Sequence, residues 1–258
     1  MKYEPKQEQQ LMTEIWSLNI KDDPVNFVKF AFPWGQKDTP LEDFEGPRKW
    51  QEKILRDIAV HIQRNQTIDL PEMFRLAVAS GRGIGKSALV AWLILWMLST
   101  RLGATIIVTA NTEQQLRSRT WAELGKWLTL SINSHWFMKT ATTIKPAGWF
   151  QEALERDLKI DTGYYYAQAQ LWSEENPDAF AGIHSSYGVC LIMDEASGIP
   201  SPIYSVSEGF FSEPTKDRYW FTFSNPRRNT GPFYDSFHSK RAFWKSLQID
   251  SRTVEGTD

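Results

Sequence analysis

The sequence lacks several features that would place it in a specialised class of protein. Its 258 residues include one cysteine, Cys190, which excludes an internal disulfide and a cysteine-based zinc site. The N-terminus is polar and has no apolar segment of the kind found in a secretory signal. The longest apolar run, residues 88–98, is shorter than the ~18 residues that a membrane-spanning helix needs. These absences predict a soluble, intracellular protein with no membrane partner.

A strong overall charge is also lacking. The formal net charge is −2, so the chain has no general positive field of the kind that coats DNA. Any contact with nucleic acid must therefore be local, or shared among several subunits. Hydrophobic residues make up 41% of the chain, which is enough for one large core.

What is present is an alternation of apolar strands and helices. Helical spacing occurs in residues 1–20 and 48–65, with a further helix starting at Asp22, Asp23 and Pro24. From residue 74 onward, short continuous apolar segments alternate with helical ones, which predicts an α/β fold with a mostly parallel sheet and helices on both faces. The strands are expected at 74–79, 104–110, 187–195, 218–224 and 242–249, and the helices at 86–98, 112–130, 203–211 and 231–238. Residues 135–180 are less regular and predict hairpins with a helix near 149–157.

The stretch SGRGIGKS, residues 80–87, joins a predicted strand to a predicted helix. Its glycines allow backbone N–H groups to point inward together, and the helix start adds partial positive charge at the same place. Lys86 can reach the β- and γ-phosphates of a nucleotide, and the Ser87 hydroxyl can ligate Mg²⁺, as in the pattern G-x-x-x-x-G-K-[ST]. Ser80 stands where that pattern has its first glycine. The alternative is a glycine-rich turn with a solvated lysine.

Two acidic residues, Asp194 and Glu195, end the apolar strand of VCLIMDEAS. Ligands of an open parallel sheet gather at the carboxyl ends of its strands. Asp194 would hold Mg²⁺ and Glu195 would polarise the attacking water. An ordinary acidic strand end is the alternative, but a phosphate loop and an acidic strand end in this order favour a site that hydrolyses nucleoside triphosphates.

Three further candidates are less specific. Ser224 and Asn225 end another strand and can sense the γ-phosphate, although Asn-Pro also favours a plain turn. Gln51 can pair with an adenine edge, or be a surface glutamine. Arg82, inside the loop, can stabilise charge on the γ-phosphate in cis, or form a salt bridge over the loop. The other candidate arginine fingers, including fingers that act on a neighbouring subunit, are Arg117, Arg119, Arg227 and Arg228.

Taken in order, these stretches resemble the large terminase subunit of tailed bacteriophages, the ATPase that pumps DNA into capsids. The resemblance rests on DPVNFVKFAFPWG, GPRKWQEKIL, SGRGIGKS, TANTEQQ, DAFAGIHSSYGVCLIMDEASGIP and SNPRRNTGPFYDSF, which span most of residues 22–237. It implies a RecA-like P-loop NTPase core of the ASCE (additional-strand) type with a small lid subdomain. We therefore divide the chain into an N-terminal helical arm (1–45), an ATPase core with lid elements (46–249) and the start of a linker (250–258).

The resemblance also implies roles for particular residues. Asp194, with Ser87, binds Mg²⁺, Glu195 is the catalytic carboxylate, Gln51 contacts adenine, and Ser224 and Asn225 couple hydrolysis to movement. The expected ATP-binding residues of the loop are Gly81, Arg82, Gly83, Ile84, Gly85, Lys86 and Ser87.

The partners that the family implies are double-stranded viral DNA, the portal protein, the small terminase subunit and further copies of the chain in a ring. The place of action is the host cytoplasm, transiently at the portal vertex of the procapsid. Family members continue into a nuclease domain, and this chain ends at Asp258, about where a linker would begin. We therefore expect no DNA cleavage, and solvated tail acids at Asp250, Glu255 and Asp258.

Two alternative functions remain open from the sequence. One is a superfamily 2-type helicase or DNA remodeller, which shares these motifs but needs a second RecA-like domain for which the chain has no room. The other is a nucleotide-switched docking module with little turnover. Ser80 keeps the switch possible, and the pair Asp194 and Glu195 argues against it, because a switch needs no water-activating carboxylate.

Overall fold

The computed structural model describes residues 4–256, which form an eight-stranded sheet covered by helices. The strand order is β3-β4-β5-β2-β6-β7-β1-β8; the pairs β3–β4 and β4–β5 are antiparallel, and the others are parallel. The predicted mostly parallel α/β sheet is therefore confirmed. The strands are β1 (Phe74–Ser80), β2 (Thr105–Ala110), β3 (Phe137–Lys139), β4 (Thr143–Pro146), β5 (Tyr166–Ala169), β6 (Val189–Asp194), β7 (Arg218–Ser224) and β8 (Lys245–Ile249).

Helices lie on both faces of this sheet because successive strand residues point to opposite sides. In β6, Cys190 and Ile192 face one apolar cluster, and Leu191 and Met193 face the other. The helices are α1 (Pro5–Ile15), α2 (Leu18–Lys21), α3 (Pro24–Ala31), α4 (Lys49–Asn65), α5 (Lys86–Thr100), α6 (Glu113–Gln115), α7 (Ala122–Leu130), α8 (Gly148–Leu158), α9 (Ser201–Ser207) and α10 (Pro232–Asp235). Cys190 is fully buried, and burial raises the pKa of its thiol, so it serves as a small core residue.

Helix α5 begins at Lys86 and is buried along nearly its whole length. A helix that is apolar all round has no face for water and must lie inside the protein. Here it lies between the sheet and the helices α3 and α7. This packing fixes the position and direction of the helix start, and with it the loop that precedes Lys86.

The N-terminal helices pack into the same core as α5. Leu11, Ile15 and Phe27 are all buried in the larger apolar cluster. Two ion pairs of the buried Arg101 add to this contact, because its Nη2 lies 2.8 Å from Asp22 and its Nε lies 3.0 Å from Asp217. The helices predicted in residues 1–31 are present at Pro5–Ile15 and Pro24–Ala31, while the arm boundary at residue 45 stays a prediction.

The single helix predicted for residues 112–130 was too simple. The chain forms α6, then a π-helical turn over Leu116–Trp121, and then α7. Such turns insert a residue into the helical register and are frequent at functional sites. In residues 135–180 the expected hairpin is formed by β3 and β4, and the expected helix is α8. Across residues 4–256, every helix is too short or too polar to span a bilayer.

Candidate nucleotide-binding site

The predicted site segments meet at one edge of the sheet. Strands β6, β7 and β1 are neighbours and run parallel, so their carboxyl ends lie side by side. The glycine loop follows β1, Glu195 follows β6 and Asn225 follows β7. A cavity of about 420 Å³ opens there. It is lined by Arg82, Gly83, Ile84, Gly85, Lys86, Ser87, Ala88, Gln115, Arg119, Glu123, Asp194, Glu195 and Asn225.

The glycine loop has the backbone conformation that its glycines allow. Gly83 and Gly85 have φ of +76° and +91°, in the region that residues with a Cβ rarely adopt. A Cβ on Gly85 would also lie 2.8 Å from the Gln51 Nε2 atom. The backbone conformation therefore favours glycine at residue 85, immediately before helix α5, and any Cβ there would displace the Gln51 amide.

Three side chains at the start of α4 hold three consecutive carbonyls of this loop. Arg48 Nη1 donates to the Gly83 carbonyl at 3.2 Å, and Trp50 Nε1 donates to the Ile84 carbonyl at 3.1 Å. Gln51 Nε2 donates to the Gly85 carbonyl at 2.8 Å. A trans peptide places its N–H opposite its C=O, so the next amides, up to that of Lys86, point away from α4. The start of α4 therefore fixes the conformation of the loop, and the backbone N–H groups of the loop point away from that helix.

Gln51 is only 2% exposed and uses both ends of its amide. Besides the bond to Gly85, its Oε1 accepts from the Arg48 backbone N–H at 2.9 Å. These bonds use one N–H and one oxygen lone pair, so the amide keeps a second N–H and a second lone pair for a further partner. The adenine contact stays a prediction, and the structure adds a second role for Gln51 as a support of the loop.

Lys86 points back across the mouth of the loop. Its Nζ donates to the Gly81 carbonyl, to Ser80 Oγ at 3.0 Å and to Asn225 Oδ1 at 3.2 Å. Burial lowers the pKa of Lys86, and the charges of Asp194 and Glu195 oppose that effect. Ser80, which replaces the first glycine of the pattern, thus supplies a hydroxyl to the lysine.

Asp194 is held by hydrogen bonds from two directions. Its Oδ2 accepts from the Thr120 hydroxyl at 2.7 Å, and its Oδ1 accepts from the Glu195 N–H at 3.0 Å. Burial raises the pKa of the Asp194 carboxyl, so its charged form is costly unless a cation is close. Glu195 has a φ of +51°, which is unusual for a residue with a side chain and is found at strained functional positions.

Ser224 ties the end of β7 to the turn that follows Glu195. Its Oγ donates to Ser197 Oγ at 2.8 Å and accepts from the Ser197 N–H at 3.1 Å. Gly198, in the same turn, lies so close to Asn111 at the end of β2 that a Cβ would be 2.5 Å from that amide. The turn after Glu195 is therefore hydrogen-bonded to the end of β7 and lies close to Asn111, which follows β2.

The candidate arginines separate into two groups. Arg82 and Arg119 are exposed and line the cavity. Arg117 pairs with Glu113 at 2.7 Å, and Arg227 and Arg228 line a different cavity. Sequence reasoning missed Thr120, which lies in the π-helical turn, and the cavity-lining residues Gln115 and Glu123, which lie just before and just after it, because the turn is not evident in the periodicity of residues 112–130.

The predicted start of a linker lies against the outer side of the glycine loop. A Cβ on Gly81 would lie 2.6 Å from Ser251 Oγ, and Arg48 Nη2 donates to the Gly256 carbonyl at 3.5 Å. Glu255 pairs with Lys49 at 3.3 Å, and Asp250 pairs with the neighbouring Arg252. These two tail acids are thus in exposed ion pairs, while Asp258 lies outside the described residues.

Fold and site together define a RecA-like α/β domain of the kind found in the ATPase domains of large terminases. The large terminase of a thermophilic bacteriophage aligns with a TM-score of 0.52 and 15% identity, over 79% of this chain and 45% of that one. The SWI2/SNF2 ATPase core of Sulfolobus solfataricus, solved in complex with double-stranded DNA, aligns with a TM-score of only 0.40 and 12% identity, over 78% of this chain and 44% of that one. At that score the second alignment supports no structural inference.

In sequence, the chain is similar to the probable terminase large subunit of Enterobacteria phage P7. The two are 28% identical over 170 residues, which cover 63% of this chain and 31% of that protein. No protein-family profile matches the chain. The resemblance to large terminase subunits is confirmed, and the chain spans about a third of this relative and less than half of the solved terminase.

Proposed function

We propose that the chain is the ATP-hydrolysing motor domain of a viral DNA-packaging terminase, which couples hydrolysis to the movement of double-stranded DNA into a procapsid. The observation that carries the proposal is the meeting of Lys86, Asp194, Glu195 and Asn225 around one cavity of about 420 Å³. The similarity to a phage terminase large subunit supports the choice among ATPases. Portal protein, small terminase subunit and a ring of copies are the partners we propose with it, in the host cytoplasm at the procapsid portal.

In this proposal the loop binds the triphosphate. The backbone amides of residues 81–87 face the phosphate oxygens, and Lys86 exchanges its contacts with Ser80 and Gly81 for the β- and γ-phosphates. Arg82 adds a guanidinium in cis, where charge develops on the γ-phosphate. Pre-ordering of the loop by the start of α4 lowers the cost of arranging these donors when the nucleotide binds.

The residues of the cavity fit a magnesium ion. Among residues 4–256 there is no cluster of three His, Cys, Asp or Glu side chains, so the protein offers no complete metal cage of that type. Mg²⁺ in nucleotide sites commonly takes one or two protein oxygens and completes its shell with phosphates and water. The Ser87 hydroxyl and the buried Asp194 carboxylate would be those ligands, and the cation would offset the cost of a buried charge at Asp194. Mg²⁺ would neutralise charge on the β- and γ-phosphate oxygens.

Glu195 is the proposed general base. It lines the cavity and its carboxylate would accept a hydrogen bond from the attacking water, directing it at the γ-phosphate. Asn225 contacts Lys86, and Ser224 contacts the turn after Glu195. Loss of the γ-phosphate would therefore change the contacts at the end of β7. We propose that this change couples hydrolysis to movement.

Steady-state ATP hydrolysis, measured with and without double-stranded DNA, tests this function. We expect turnover by the wild type, stimulation by DNA, and a loss of about 10²–10⁴-fold in Glu195→Gln with ATP binding retained. Glu175→Gln is the matched control, because Glu175 is exposed and does not line the cavity. Tight ATP binding without Glu195-dependent turnover would instead favour the nucleotide-switched docking module.

A further inference from the structure

A local positive charge follows the end of β7. Residues 226–241 contain four basic residues against one acidic residue, a local charge of +3 in a chain whose net charge is −2. The basic residues are Arg227, Arg228, Lys240 and Arg241, and all four are exposed. The nucleotide site described above uses none of them.

Part of this segment forms a second cavity of about 460 Å³. We call its polar lining the basic surface: Arg227, Arg228, Asn229, Tyr234, His238 and Gln248. None of the described residues that line the cavity is acidic. The rings of Tyr234 and His238 stack with centroids 3.9 Å apart, which gives the surface an ordered wall. The surface therefore presents hydrogen-bond donors and positive charge without a compensating carboxylate.

The two arginines of this surface are available to a ligand. Within the part of the chain that the structure describes, neither Arg227 nor Arg228 forms an ion pair or a side-chain hydrogen bond. Most other exposed arginines, such as Arg64 and Arg156, are paired with a nearby carboxylate. A planar guanidinium matches phosphate oxygens with two parallel hydrogen bonds.

The basic surface is also joined to the nucleotide site by very few residues. Asn225, which contacts Lys86 at 3.2 Å, is separated from Arg227 by Pro226 alone. Proline restricts the backbone dihedral angles on both sides of the Asn225–Pro226 bond, so a displacement of Asn225 also displaces Arg227. A contact made by the basic surface can therefore respond to events at the γ-phosphate.

We propose that the basic surface binds the phosphate backbone of double-stranded DNA and is a gripping contact of the motor. This inference rests on the proposed function, and it names a surface for the DNA contact. Arg227 and Arg228 bind phosphates, and Asn229, Tyr234 and Gln248 are of the types that donate to phosphate and sugar oxygens. A guanidinium pairs with a carboxylate as well as with a phosphate, so an acidic protein is the competing partner that the polyglutamate measurement below distinguishes from DNA.

The test measures binding of a short fluorescent DNA duplex to the whole chain by anisotropy, over a series of salt concentrations. The double variant Arg227→Gln/Arg228→Gln is compared with Arg64→Gln/Arg156→Gln, which removes the same charge from exposed, ion-paired positions. Each lost phosphate contact lowers the slope of log K against log salt by about 1, so we expect a loss of about 2 in the first variant and little change in the control. Melting temperatures of both variants should remain near that of the wild type, because all four side chains are exposed.

Several results would overturn the proposal. These are an unchanged salt slope in the double variant, no salt-sensitive DNA binding by the wild type at low ionic strength, or equal displacement of the duplex by polyglutamate. Loss of DNA-independent ATP turnover with intact DNA binding would instead make these residues arginine fingers for a neighbouring subunit. DNA-independent turnover of the wild type is measured in parallel, so failure of the ATPase assignment can be told from failure of the DNA surface.

Discussion

Gln51 gives the sharpest prediction, because its two possible roles lead to different results. In the structure its amide joins the Gly85 carbonyl to the Arg48 backbone N–H, at 2.8 and 2.9 Å. The resemblance to terminases implies that the same amide contacts adenine. A support of the loop acts on every nucleotide, whereas a contact with adenine acts on ATP alone. The variant Gln51→Ala separates the two.

The size of the effect follows from the two hydrogen bonds. Each is worth about 1 kcal/mol net, and a carbonyl that loses its donor in a buried place costs ~1–3 kcal/mol. We therefore expect a total of about 2 kcal/mol. If the loop is reordered only when the nucleotide binds, this raises the dissociation constant roughly thirty-fold. Any part of this free energy that instead destabilises the nucleotide-free protein lowers its melting temperature by ~2–4 °C per kcal/mol.

The assay compares dissociation constants for ATP and GTP in a Glu195→Gln background, where hydrolysis is slow. We expect both constants to rise by the same factor in Gln51→Ala. In Gln51→Glu the loss should be at least as large, because a carboxylate would face the Gly85 carbonyl. Gln63→Ala, on the exposed side of the same helix, is the control and should leave both constants unchanged. Weakened binding of ATP with unchanged binding of GTP would refute the support role.

Three further predictions concern the site and the packing of the N-terminal helices. Gly198→Ala should lower turnover more than ATP affinity, since its Cβ would meet the Asn111 amide at 2.5 Å and push that side chain away from the turn after the proposed base; equal turnover in kinetic assays would contradict this. Asp194→Asn should weaken Mg²⁺–ATP binding yet stabilise the nucleotide-free protein by about 1 kcal/mol in thermal melts, because a buried charge is removed. Because burial raises the pKa of the wild-type carboxyl, the folded protein favours its protonated form. The stability that this protonated form contributes is complete below the ordinary pKa of 3.8 and is lost as pH rises through the pKa of the folded state, and melts of the variant should lack this pH dependence. Arg101→Ala should destabilise the fold by about 3–5 kcal/mol in denaturant titrations, because two carboxylates lose a buried partner; a change below 1 kcal/mol would show that the N-terminal helices do not depend on it.

Much of the fold could be read from local patterns. The boundaries of β1, β6 and β7 agree with the apolar runs to within about two residues, because each strand is buried on both faces and is punctuated by glycine, proline or acidic residues. Helix α5 was also predicted correctly from the sequence, since it is apolar along its length. The π-helical turn could not be predicted, because its one-residue change in helical register falls among residues 112–120, where Leu116 is the only apolar residue that could show the shift.

The sequence alone indicated the glycine loop, the lysine and the acidic pair of the candidate site, but not Thr120, Gln115 or Glu123. A strand, a glycine loop, a lysine and a helix are consecutive in the chain, so their relation is local, and Asp194 and Glu195 end a strand that must share a sheet edge with them. Only the tertiary structure decided how these groups are held. Thr120 donates a hydrogen bond to Asp194, side chains at the start of α4 donate to the loop carbonyls, and Ser224 donates to Ser197 in the turn after Glu195. These contacts join residues far apart in the chain, and their geometry depends on the strand order and on helix packing, which no local pattern specifies.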